Sequence, residues 1–441
     1  MKRLLILLTI ISFVNISAFA QQDSTVTDTT KIEKKTGFSF GGVPIIAYDS
    51  DLGLKYGVLV NLFFYGEGEN SPDPNHNIYL EWNQTTKGSQ MFLGKYKSRT
   101  LIKNIRTNFE ARYTTEKALH FYGFNGYNAE YNPLFEDETD QLYKSRLYYR
   151  HARKLLRFRA DFEGSIIEHK LRWFAGLSYN KLDIEKVDVN NLNKGLSDSP
   201  LPDTSLYADY VSWGVIKDSE KNGGYMNDIK FGAVYDTRDN EANPNHGMWS
   251  EIILLTVPKF LGNQYTYGKL ILTHRQYFTL IKKHLTFAYR LSYQPKIFGT
   301  MPFYALPLVH SSDNTRDGLG GSRTLRGIYR NRVVGEDYAF ANLEFRWKFV
   351  KFNVLKQNVY FALFPFIDGG LVTKKYDFDE SNIPLSNIDE FHNSEETLHI
   401  GYGSGLAIAI NQNFIITATY ALANSYKDGT SSLYITINYL F

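Results

Sequence analysis

Residues 284 to 293, HLTFAYRLSY, set Leu285, Phe287, Tyr289, Leu291 and Tyr293 on one side of an extended chain, and His284, Thr286, Arg290 and Ser292 on the other. A period of two is the mark of a strand with one apolar face. The same alternation runs through YAFANLEFRWKF, residues 338 to 349, where Ala339, Ala341, Leu343, Phe345, Trp347 and Phe349 oppose Asn342, Glu344, Arg346 and Lys348. In the closing LYITINYLF it predicts Leu433, Ile435, Ile437, Tyr439 and Phe441 on one face, with Tyr439 and Phe441 as a C-terminal aromatic signal. Strands of about ten residues with one apolar face have the length and pattern to cross a bilayer as part of a closed barrel.

Extending this reading outward predicts sixteen strands, near residues 38–48, 52–65, 76–84, 89–98, 104–115, 145–165, 170–184, 225–236, 248–258, 264–279, 283–295, 336–349, 357–371, 397–410, 412–422 and 431–441. The even number suits an up-and-down barrel with both ends in the periplasm. Connection lengths support it independently. The long stretches 116–144, 185–224, 296–335 and 372–396 all follow odd-numbered strands and so share one side, the extracellular one. The fold class is therefore all-β, a single 16-stranded antiparallel transmembrane barrel over residues 37–441. A soluble sandwich is disfavoured, because its strands average about five to six residues.

Composition agrees. Tyr and Phe number 32 and 31, and aromatics make up 15% of the 441 residues. The mean hydropathy of −0.32 is no objection, since barrel strands place lipid-facing residues only at alternate positions. There is no Cys, which excludes thiolate metal sites and an N-terminal lipidated cysteine. The opening MKRLLILLTIISFVNISAFAQQ combines Lys2 and Arg3, an apolar run and Ala18-Phe19-Ala20, the pattern of a signal peptide over residues 1–20. Its removal leaves 47 Lys and Arg against 46 Asp and Glu, so nucleic acid is not an expected partner. Residues 21–36, which include KIEKK near Lys31, are polar and aperiodic and read as a flexible periplasmic tail.

Within the sixth extracellular loop, GLGGSRTLRGIYRNR (318–332) carries Arg323, Arg326, Arg330 and Arg332, with Arg316 just before it. Outside the barrel such a loop would bind the phosphates of outer-membrane lipid. Folded into the lumen, it needs acids, because an unpaired buried charge is very costly. The following strands supply Glu344 and Asp368, and Gly401, Gly403, Gly405 and Ala407 clear space on one lumen face. The internal placement is the better one on these grounds.

Several stretches resemble the BamA/TamA-like outer-membrane assembly superfamily, also described as bacterial surface antigens: SRTLRGIYRNR, YDTRDNEANPNHG, NLEFRWKF, FIDGG, GYGSGLAIAINQNFIITATY, the opening GGVPIIAYDSDLGLKYG and the final aromatic. They occur in family order across residues 37 to 441. The resemblance implies a sixth loop tucked into the lumen and a loop-six motif of Arg326, Gly327 and Tyr329, with Arg326 paired to lumen-wall Glu344 and Asp368. It also implies a structural periplasmic turn containing Asp236, Arg238, Asp239, Pro244 and Gly247, and a weak seam between the first and last strands, through which proteins are handed into or across the membrane. Here Ile328 stands where the family usually has an aromatic, with Tyr329 one residue later. Typical members carry periplasmic POTRA domains; sixteen polar residues cannot form one, so the chain looks like a short branch without them.

The implied function is assistance in inserting or translocating proteins at the outer membrane, with unfolded outer-membrane proteins and periplasmic chaperones or accessory proteins as partners. A passive diffusion pore is the alternative, and a barrel hydrolase comes third. Asp236, Asp239 and Glu241 are the residue types of a Ca²⁺ site, but beside Asn, Pro and Gly they read as turn formers. The run HSSD (310–313) holds His, Ser and Asp, yet neighbours in sequence rarely meet in triad geometry and no nucleophile turn surrounds them. No catalytic residue, metal or cofactor is expected.

Overall fold

The computed structural model describes residues 36–49, 53–69, 74–168, 170–194, 200–354, 357–410 and 414–441. The expected signal peptide and nearly all of the expected tail lie outside them. The strands in chain order are β1 (Gly37–Asp49), β2 (Gly53–Gly66), β3 (His76–Thr85), β4 (Gln90–Ile102), β5 (Ile105–His120), β6 (Arg150–Ile167), β7 (Leu171–Glu185), β8 (Gly223–Tyr225), β9 (Asp228–Asp236) and β10 (Gly247–Val257). They continue as β11 (Tyr267–Ile281), β12 (Leu285–Gln294), β13 (Lys296–Gly299), β14 (Leu308–His310), β15 (Thr315–Asp317), β16 (Asp337–Val354), β17 (Gln357–Lys374), β18 (His399–Ile410), β19 (Phe414–Ala423) and β20 (Ser431–Ile437).

All pairings are antiparallel, and β1 meets β20 to close a 16-stranded barrel. Four short strands do not add to that count. β8 continues the wall strand of β9 along β7, and β13 continues β12 along β11 beyond Pro295, which has no N–H to give to the ladder. β14 and β15 pair only with each other, inside the sixth loop.

Alternation decides what each side chain faces. Leu80, Trp82, Phe92, Phe158, Phe345 and Trp347 are exposed on the outer face, whereas Asn342, Glu344 and Arg346 between them are shut inside. Several expected boundaries shift, with β5 running on to His120 and β16 to Val354, and two of the shifts redirect aromatic side chains. The sixth strand begins at Arg150 and not near 145, because Tyr148 and Tyr149 are drawn into an aromatic cluster. That cluster joins the long extracellular connections: Phe121 meets Tyr210 at 5.4 Å, Phe124 meets Tyr376 at 5.1 Å, and Tyr210 meets Phe391 at 5.0 Å. It continues onto inward-facing Phe174, Trp249 and Ile253, so it caps the extracellular end of the lumen.

The second shift corrects the reading of the C-terminus. The last strand ends at Ile437, and Asn438 adopts a φ of 67°, a left-handed turn that Asn tolerates better than most residues. Tyr439 and Phe441 therefore leave the outer face and become buried in the lumen. Tyr439 packs edge-on against Phe364 at 5.4 Å, and Arg346 lies 4.2 Å over the Tyr439 ring while donating to the Phe441 carbonyl oxygen at 2.7 Å. Polar lumen groups offered these aromatics cation–π and hydrogen-bond partners, and the period of two could not reveal that.

Candidate functional site

The sixth loop enters the lumen, and its tip is fixed by charge. Arg326 is 3% exposed, and Glu344 and Asp368 are 0% exposed. Its Nε and Nη2 donate to the two oxygens of Asp368 at 2.8 and 2.9 Å, a bidentate fork, while Nη1 donates to Glu344 at 2.7 Å. The Arg326 backbone N–H adds a bond to Asp368 at 2.9 Å, and the Phe366 ring lies 3.6 Å beneath the guanidinium. Glu344 in turn receives Arg346 Nε at 2.8 Å. The expected site residues Arg326, Glu344 and Asp368 thus form one fully paired network on β16, β17 and the loop.

Glycine makes this approach possible. A Cβ on Gly401 would stand 1.9 Å from the Arg326 carbonyl oxygen, so β18 admits the loop backbone only where it lacks a side chain. Gly327, with a φ of 89°, turns the chain immediately after the arginine. Ile328 is then fully buried with Leu325, Tyr338 and Phe340, and Tyr329 points the other way, stacking on Tyr122 of the aromatic cap. The shifted aromatic therefore joins the loop to the cap, and an aliphatic residue fills the wall pocket.

Two further clamps hold the loop, and neither was identified from the sequence. Arg330 donates to Glu116 and to Asp317, each at 2.6 Å, and Arg153 of β6 binds the same two acids. Burial alone would raise the Asp317 carboxyl, but the Arg153 and Arg330 guanidiniums hold it well below the usual carboxylate range. Arg332 donates to the carbonyl oxygens of Lys427 and Gly126 at 2.8 and 2.9 Å, tying together three extracellular connections. Arg153 lies within the expected sixth strand, but Glu116 falls just past the expected fifth, and no local signal shows the register that brings both to Arg330.

The turn after β9 is built as a structural hairpin. Arg238 grips Asp236 with Nε and Nη2, both at 2.9 Å, and Asp239 accepts the backbone N–H groups of Asn245 and His246. Pro244 is buried, Glu241 is exposed, and Gly247 opens β10. Asp236 and Asp239 are thus engaged separately. Nor does HSSD assemble as a nucleophile and base. Ser312 gives its hydroxyl to Glu251 at 2.8 Å, and His310 Nδ1 faces Thr315 at 3.4 Å.

The seam is the last part of the site. β1 pairs with β2 along its whole length, from Gly37 opposite Gly66 to Asp49 opposite Gly53. On its other edge only Tyr48 and Asp49 find partners, Ile435 and Tyr434. β20 ends at Ile437, where the chain turns inward, and residues 37–47 have no register partner on that side among the described residues.

The model of the Omp85 superfamily domain matches residues 84–441. The chain belongs to the Omp85 superfamily. This Omp85 barrel resides in the bacterial outer membrane. Its fold is similar to BamA from Haemophilus ducreyi lacking POTRA domains 1–3, with a TM-score of 0.54 at 14% identity over 92% of this chain and 70% of that one. It is also similar to CdiB from Escherichia coli, with a TM-score of 0.57 at 8% identity over 92% of this chain and 63% of that one. No curated protein matches the chain by sequence.

Proposed function

We infer that this Omp85 barrel assists the insertion or translocation of proteins at the outer membrane through the seam between β1 and β20. The observation that carries the reading is the contrast along β1, whose β2 edge is paired throughout while its β20 edge is paired, among the described residues, only at Tyr48 and Asp49. An incompletely paired edge presents N–H and C=O groups to which an incoming strand can add. Clients of this chemistry are unfolded outer-membrane proteins, delivered by periplasmic chaperones or accessory proteins. The passive-pore alternative fits less well, because an open conduit has no use for a lumen crossed by the Arg326 network and capped by aromatic packing.

The test is the folding rate of an unfolded reporter barrel added to liposomes with and without the protein, using Arg326→Ala as a control. Acceleration that disappears in the variant is the expected result. No acceleration, with small solutes leaking through the same liposomes, would replace this reading with a diffusion pore.

A further inference from the structure

Most lumen arginines near the sixth loop meet a carboxylate, as Arg153, Arg326, Arg330 and Arg346 do. Arg275, Arg290 and Arg316 differ. Arg275 of β11 and Arg290 of β12 are register partners on the lumen face, an arrangement that sets like charges opposite one another. The loop brings the third. Arg316 Nη1 and Arg290 Nη2 donate to one carbonyl oxygen, that of Arg323, at 3.3 and 3.5 Å, so two guanidiniums converge on a single neutral acceptor.

Their remaining partners are neutral as well. Arg290 Nε donates to the Asn342 amide oxygen at 2.8 Å, and Arg275 stacks 4.1 Å over Trp249. The Nε of Arg275 is buried with no hydrogen-bond partner. No carboxylate among the described residues lies within ion-pair distance of these three side chains. Asp368 is taken by Arg326, and Glu251 gives one oxygen to Ser312 and forms no ion pair with the three arginines. Asp313 interacts with Arg275 and Arg316 through charge but forms no ion pair with them. Water reaches the place, since Asp313 and Arg323 are exposed and Arg316 is half-buried although all lie inside the barrel.

We propose that Arg275, Arg290 and Arg316 form a binding site for a small oxyanion of the phosphate class in the water-filled part of the lumen. Three guanidiniums offer several donors to the oxygens of one multiply charged ion, the geometry at which Arg excels. Binding would cancel a repulsion that no ion pair within the cluster cancels. The inference is independent of how the seam is used.

The test is thermal unfolding of the detergent-solubilised full chain titrated with inorganic phosphate, against chloride at matched ionic strength. Phosphate should raise Tm saturably, by about 2–4 °C once in large excess over Kd, and chloride should not. Arg275→Gln with Arg290→Gln should lose that response while being no less stable than the parent without phosphate, because repulsion has been removed. Arg316→Gln, which leaves the wall intact, supplies the same loss of response should the double variant not fold. An equal rise with chloride would mean diffuse counterions only and would overturn the proposal, as would a response retained in Arg316→Gln.

Discussion

The loop-six tip and the β1–β20 seam are held in opposite ways. At the tip, Arg326 is bound by two buried carboxylates; nearer the extracellular cap Arg330 is likewise bound by two acids, and Arg332 by backbone carbonyl oxygens. At the seam, two register positions join strands whose other edges are paired throughout. One feature is fixed by side-chain charge and the other is left short of backbone hydrogen bonds. Under the proposed function, the plug and cap stay in place while the wall parts along one line.

The largest effect expected from breaking this contrast is at Arg326. Arg326→Ala would leave Asp368 buried without its cation and Glu344 with Arg346 alone, at a cost of about 3–5 kcal/mol, read as a lower unfolding temperature in detergent. Gly401→Ala comes next. Its methyl group would collide with the Arg326 carbonyl oxygen, and overpacking of this kind costs about 1–3 kcal/mol. Loosening of loop six should appear there as faster proteolysis near residues 318–332. Arg238→Ala should matter least, about 1 kcal/mol, because Asp236 keeps Arg172 beside it at 3.7 Å when the hairpin contact is removed. To sharpen the comparison without mutation, amide exchange should be faster in residues 38–47 of β1 than in residues 338–347 of β16, which are paired on both edges.

The wall was legible in the sequence because alternation is local. HLTFAYRLSY declares its lipid face whatever its neighbours are, and the parity of long connections places the arginine-rich loop on the extracellular side. Arg326, Glu344 and Asp368 were reachable because alternation puts both acids inward and a buried arginine requires acids. What stayed hidden depends on register between distant strands. Nothing near Glu116 says that it will meet both Arg153 and Arg330, and nothing near Arg275 says that Arg290 will stand opposite. Tyr439 and Phe441 misled for a different reason. They continue the period of two perfectly, and the break comes from one backbone torsion at Asn438 and from Arg346, nearly a hundred residues earlier, waiting inside.

The seam carries the account, and the absence of native cysteine allows it to be locked cleanly. Tyr48→Cys with Ile435→Cys places two thiols at register partners, a spacing a disulfide spans. The decisive measurement is the folding rate of a reporter barrel in liposomes carrying this double variant, oxidised and then reduced. Acceleration confined to the reduced form is the predicted result. Equal acceleration in both forms would show that the seam does not need to open and would contradict the account.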